Sequence, residues 1–242
     1  MITVHHLNQS RSLRIVWLLE ELGVPYVLRP YQRHPKTMLA PPALKAIHPL
    51  GKAPIVDDDG IVMIESGAII QLLLERHGAN SGLAPDVGTP AHRDYLTFLH
   101  FAEGSMMPPL LLRLIFLRIA SGAPALLRPL VRAITGPVNA GFLDPNITGT
   151  LDFLEGELGK RPWFAGEAFS AADIQSKHPV NTAAYTLVRM QDPVCFHDLQ
   201  SFGERMVTME AVPGSGMPMP LDVEAVRAHP IEASEWGVEL FA

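Results

Sequence analysis

Three short groups of residues in the first 79 positions combine hydroxyls, a carboxylate and backbone groups at places where a chain could grip a small polar ligand. Ser10 and Ser12 stand where the loop after a first predicted strand enters a first predicted helix. A hydroxyl there either caps the helix by accepting from an orphan N–H, or donates to a bound anion at the positive end of the helix dipole. Ala53-Pro54 opens a predicted hairpin. With a trans bond this is an ordinary edge proline; with a cis bond the Ala53 backbone turns outward as donor and acceptor for a peptide-like ligand, and the sequence leaves both open. Glu65-Ser66 ends that hairpin and begins the next helix. The pair either caps the helix or meets an α-amino acid head group, its ammonium against Glu65 and its carboxylate against Ser66.

Other reaction classes lose their usual support. There is no phosphate-cradling Gly-x-x-x-x-Gly-Lys-Ser/Thr, no Gly-x-Gly-x-x-Gly after a strand, no Gly-x-Ser-x-Gly and no His-Glu-x-x-His. None of the 10 histidines are spaced i, i+4, and the adjacent His5 and His6 must point to opposite faces of a strand, so no metal is expected. A single cysteine, Cys195, has no partner for an internal disulfide or a Cys-x-x-Cys exchange.

The elements that must position these groups are legible as patterns. Residues 2–7 read as a strand, 10–22 as a helix closed by Gly23, and 24–28 as a second strand, which makes a parallel βαβ unit. A short helix at 43–47, a hairpin of 54–56 with 61–64 and a helix at 66–77 complete an α/β unit over residues 1–79. Residues 80–90 are a linker by composition. Beyond it only helices are expected, at 90–104, 106–120, 124–135, 147–159, 171–190 and 195–210, giving an all-helical domain over 91–212. Five of the eight residues 213–220 are Pro or Gly, and 213–242 reads as an acidic, weakly patterned tail.

The 242 residues suit one large or two small domains, and 48% hydrophobic against 18% charged composition predicts a sizeable core. A net charge of -6 removes the positive field that nucleic acid or an anionic membrane would need. Residues 1–79 hold 8 of the 19 Lys and Arg and 7 of the 25 Asp and Glu, so they are net +1 and the remainder net -7, which supports a boundary near 80. The N-terminus shows no secretory pattern, and the apolar run at 108–120 is interrupted by Arg113 and Arg118, so a cytoplasmic protein without a membrane span is expected.

In four places, in one order, the chain resembles the cytosolic glutathione S-transferases: residues 4–23, the segment His48-Pro49-Leu50-Gly51-Lys52-Ala53-Pro54, Glu65-Ser66-Gly67-Ala68-Ile69, and Trp163-Phe164-Ala165-Gly166 followed by Ser170-Ala171-Ala172-Asp173-Ile174. The resemblance runs over about residues 1–205. It implies an α/β thioredoxin-like N-terminal domain, an all-α C-terminal domain, a homodimer, a detoxifying transferase role and glutathione as co-substrate without a metal. Carried over singly, Ser10 matches the serine that bonds the glutathione sulfur in theta-like and phi-like classes, Ala53 the residue before the cis-proline, here Pro54, and Glu65 and Ser66 the γ-glutamyl clamp. Lys52 fills a polar position near the glycyl end, within whose reach His34 or Lys36 would also fall. Met106, Met107 and Leu110 are candidates for the wall of an electrophile pocket, or else core residues. Asp173 forms Ser-x-x-Asp with Ser170 and reads as a folding residue.

Two departures stand out. Gln175-Ser176-Lys177-His178 is polar where the family's buried helix continues apolar, and the Pro- and Gly-rich 213–220 replaces a terminal helix. The implied activity is conjugation of glutathione to a small apolar electrophile, with peroxidase or dehalogenase activity as variants on the same sulfur. A non-catalytic ligand-binding or protein-interaction module is the alternative of a different class.

Overall fold

The computed structural model describes residues 1–190 apart from Gln9; the side chains of 181–190 are not described, and the expected helix at 195–210 and the tail at 213–242 lie outside the described residues. The N-terminal part is a four-stranded mixed sheet in the order β2-β1-β3-β4, built from β1 (Ile2–Leu7), β2 (Tyr26–Tyr31), β3 (Ile55–Asp58) and β4 (Ile61–Ile64). β1 runs parallel to β2 and antiparallel to β3, which pairs with β4 across a two-residue turn. Both turn residues, Asp59 at φ 52° and Gly60 at φ 86°, take the left-handed geometry that such a tight hairpin demands.

Helix α1 (Leu13–Leu22) supplies the parallel crossover and buries Ile15, Val16, Trp17, Leu18 and Leu19. Gly23, at φ 63°, ends it by turning its N–H back to the carbonyls of Leu19 and Glu20. After α2 (Pro42–Ile47) and the hairpin, α3 (Ser66–His77) lays Ile69, Ile70, Leu73 and Leu74 into the same core. The thioredoxin-like N-terminal domain expected from the sequence is thus present. The second strand lies two to three residues later than its apolar run suggested, because pairing with β1 from Ile2↔Tyr26 to Leu7↔Tyr31 fixes its register.

The C-terminal region is helical: α4 (Pro90–Phe101), α5 (Met107–Gly122), α6 (Arg128–Val138), α7 (Asp144–Leu158) and α8 (Ala171–Met190). The two helices expected at 90–104 and 106–120 are one continuous run of 33 residues, Pro90–Gly122, joined by a π-helical turn at Ala102–Met106. By length and composition alone that run could span a bilayer. One face of it packs into the core, with Tyr95, Phe98, Leu99, Ala102, Met106 and Leu110 buried, while Leu112, Ile115 and Ile119 are exposed.

α8 is anchored by Asp173, whose carboxylate accepts from the backbone N–H of Phe164 (2.9 Å) and Ser170 (2.8 Å) and from the Ser170 hydroxyl (2.9 Å). This is half of the expected capping box, since Ser170 donates its hydroxyl to Asp173 and does not accept from it. α6 has no buried residue and leaves Leu130 and Ile134 60% and 66% exposed.

Candidate functional site

Strand direction gathers the predicted groups at one end of the sheet. β1 and β2 run parallel and reach that end together at Leu7 and Tyr31. There β3 begins at Ile55, level with His5 on one side and with Ile64, the last residue of β4, on the other. The segments leaving this edge are therefore the loop carrying Ser10 and Ser12, the loop carrying His34 and Lys36, the Ala53-Pro54 approach to β3, and Glu65-Ser66 at the start of α3.

Ser12, at φ -64° and ψ -21°, already has helical backbone and makes no cap with its own side chain, while Ser10 Oγ accepts the Ser12 N–H at 3.3 Å. The hydroxyls also bond one another (2.7 Å), with Ser10 Oγ donating to the Leu7 carbonyl at 2.7 Å and Ser12 Oγ 2.8 Å from His6 Nδ1. Ser12 is wholly buried and Ser10 is half-buried. His5 is turned the other way and meets the Tyr31 hydroxyl at 3.0 Å. Burial pushes the His6 imidazole below its ordinary value.

Of the two isomers left open by the sequence, the Ala53-Pro54 bond is cis; Ala53 is half-buried and Pro54 buried. Glu65 is exposed and holds φ 67°, ψ 118°, a conformation that a non-glycine residue adopts only when its surroundings impose it. Its side chain makes no cap to α3, while its carbonyl accepts from Ile69 N at 2.9 Å. Ser66 is 5% exposed.

His34, Lys36 and Lys52 are all exposed. His34 Nδ1 accepts from the N–H of Lys36 (3.3 Å) and Thr37 (3.2 Å), which shapes the loop locally. Arg33, which sequence reasoning passed over, fastens that loop to the first: its N–H donates to Asn8 Oδ1 (2.8 Å), its Nε to Asn8 O (3.2 Å), and its Nη1 to Met38 O (2.9 Å).

Above the serines lies a charged seam between the two parts of the molecule. Arg14, 4% exposed, donates from Nη1 to Glu103 (2.8 Å), in the π-helical turn, and to Gln175 Oε1 (2.7 Å), in α8. Its Nε and Nη2 have no partner among the described residues. Burial pushes the guanidinium down to about 10 against the pull of Glu103. Arg11 reaches the other Glu103 oxygen at 3.3 Å. Lys177 Nζ sits 4.7 Å from the Trp17 ring centre. Burial, with Arg14 and Arg11 nearby, holds His178 well below its ordinary value.

The polar stretch Gln175-Ser176-Lys177-His178, a departure from the family pattern, is thus answered by α1. The signal was present on both sides, in Arg11 and Arg14 as much as in the α8 residues. Of the two readings of Met106, Met107 and Leu110, pocket wall or core, their burial favours the second: they are 1%, 3% and 2% exposed.

Residues 10–76 match the family described as "Glutathione S-transferase, N-terminal domain". The chain is 38% identical over 184 residues to Glutathione S-transferase 3 of Schizosaccharomyces pombe, covering 76% of this chain and 74% of that one. It is 32% identical over 192 residues to Glutathione S-transferase 1 of Saccharomyces cerevisiae, covering 76% and 81%. A crystal structure of a glutathione S-transferase from Actinobacillus pleuropneumoniae superposes with a TM-score of 0.69 at 29% identity, over 100% of this chain and 97% of that one. The four motifs, the thioredoxin-like sheet and these relatives agree: the chain belongs to the glutathione S-transferase family.

Proposed function

We propose that this glutathione transferase lays glutathione across the sheet end and activates its sulfur with the Ser10 hydroxyl. Glu65 and Ser66 take the γ-glutamyl head, the Ala53 backbone pairs with the cysteinyl unit, and Lys52, His34 or Lys36 meets the glycyl carboxylate. A free thiol titrates at about 8.5. Lowering that by about two units makes most of it thiolate at neutral pH, at about 2.7 kcal/mol of differential stabilisation. One charge-assisted hydrogen bond, about 1.5 to 3 kcal/mol, with the N-terminus of α1 behind it, is of that size. The thiolate then attacks a small electrophile, or reduces a hydroperoxide in a side activity that substrate profiling would separate.

The observation that carries this reading is that the Ser10 hydroxyl is half-buried at the head of α1, its oxygen accepting the Ser12 N–H and its proton held only by the Leu7 carbonyl, from which a ligand can take it. The test is Ser10→Ala in a conjugation assay with an aryl halide. kcat/KM should fall by about 2 to 3 kcal/mol, which is about thirtyfold to over a hundredfold, with kcat carrying the loss. An unchanged kcat/KM would remove Ser10 from the mechanism. We also infer a homodimer, supported by the exposed apolar side chains of α6. A cytoplasmic setting, where thiols are kept reduced, suits the chemistry.

A further inference from the structure

We propose that His6, acting through Ser12, is a positioning residue that sets the direction of the Ser10 hydroxyl. This rests on the assignment of Ser10 to the glutathione sulfur. Three side chains form an unbroken line: His6 Nδ1 is 2.8 Å from Ser12 Oγ, which is 2.7 Å from Ser10 Oγ, which donates at 2.7 Å to the Leu7 carbonyl.

Each hydroxyl has one proton, and that count fixes the order. Ser10 spends its proton on Leu7 O, or on the sulfur when glutathione is bound, so in the Ser10–Ser12 bond Ser12 must donate. Ser12 has then spent its own proton, so in the bond to His6 the ring must donate from Nδ1–H. The reversed order, Ser10 donating to Ser12 and Ser12 to His6 Nδ1, leaves no proton for the 2.7 Å contact between Ser10 Oγ and the Leu7 carbonyl, and Ser12 Oγ lies 3.4 Å from that carbonyl.

The Ser12 N–H adds a second donor to Ser10 Oγ at 3.3 Å. A hydroxyl that accepts from two donors is a stronger donor itself, and the effect is greatest where water is excluded. Ser12 is wholly buried, so solvent cannot replace it in the line. The strand supplies the orientation: His5 faces Tyr31, and His6, one residue on, faces the start of α1.

The test is a titration of the bound glutathione thiol by thiolate absorbance in the full chain and in Ser10→Ala, Ser12→Ala, His6→Leu and His6→Asn. Asn places an amide N–H where the Nδ1–H stood; Leu fills similar space without a donor. Ser12→Ala and His6→Leu should raise the thiol pKa by about one unit, about tenfold in the thiolate-to-thiol ratio, with glutathione affinity retained. His6→Asn should stay near the wild-type value. Equal shifts in His6→Leu and His6→Asn would make His6 a packing residue and overturn the proposal. So would a raised thiol pKa in Ser10→Ala alone, with Ser12→Ala and His6→Leu unchanged. If Ser10→Ala itself shifts nothing, the assignment of Ser10 fails and this proposal falls with it.

Discussion

At the scale of single residues, the Ser10 hydroxyl has two separate capacities. Its oxygen accepts the Ser12 N–H at 3.3 Å, as a serine at a helix start commonly does, and its one proton remains to be donated elsewhere. The Ser10 oxygen stays at the rim with its proton on a carbonyl that a ligand can supplant. A thiol placed there would face the glutathione sulfur. Ser10→Cys treated with glutathione disulfide should therefore form a mixed disulfide, the introduced sulfur joining one glutathione half as the other leaves as a thiol. Intact-protein mass should show the adduct beyond whatever the wild type, with Cys195, shows. An adduct no greater than in the wild type would place the sulfur elsewhere. Ser10, Ala53 and Glu65-Ser66 were legible as candidates from residue type and position. The capping alternatives at Ser10 and at Glu65-Ser66, and the isomer of the Ala53-Pro54 bond, were not resolvable, because the same oxygen serves either role and the isomer is set by tertiary context.

At the scale of elements, α8 depends on one buried carboxylate. Asp173 holds the N–H groups of Phe164 and Ser170, and burial pushes its carboxyl up to about 6 despite the three hydrogen bonds it accepts. The raised value means that the folded state binds more protons than the unfolded state between about pH 4 and 6, so this group's contribution to stability falls as pH rises through that window. The span of about two pKa units corresponds to about 3 kcal/mol. Denaturant unfolding should show this slope in the wild type and lose it in Asp173→Asn. Asp173→Ala should cost about 2 to 5 kcal/mol at neutral pH, because two buried N–H donors lose their acceptor. A pH-independent difference between wild type and Asp173→Asn would refute the assignment. The Ser-x-x-Asp spacing predicted the anchor. It could not reveal the Phe164 contact, which is made by a residue nine positions earlier.

At the scale of the whole molecule, the two parts meet through polar contacts as well as apolar ones. Arg14, Glu103 and Gln175 come from three distant stretches of chain, and Trp17 takes the Lys177 ammonium over its ring. A helix-by-helix reading saw Gln175 and Lys177 as polar residues in a buried helix and passed over Arg14 and Glu103, since pairing across the seam depends on tertiary arrangement and not on local period. The same limit explains the joined helix Pro90–Gly122, whose two expected parts are connected by a π-helical turn. Light scattering should report twice the 26.5 kDa chain mass, and a monomer at micromolar concentration would contradict the dimer. The central claim, that Ser10 bonds the glutathione sulfur, is tested most directly by a crystal structure of the glutathione complex. The sulfur should lie about 3.5 Å from Ser10 Oγ, with the γ-glutamyl head against Glu65 and Ser66. A sulfur beyond hydrogen-bonding reach of that hydroxyl would contradict the account.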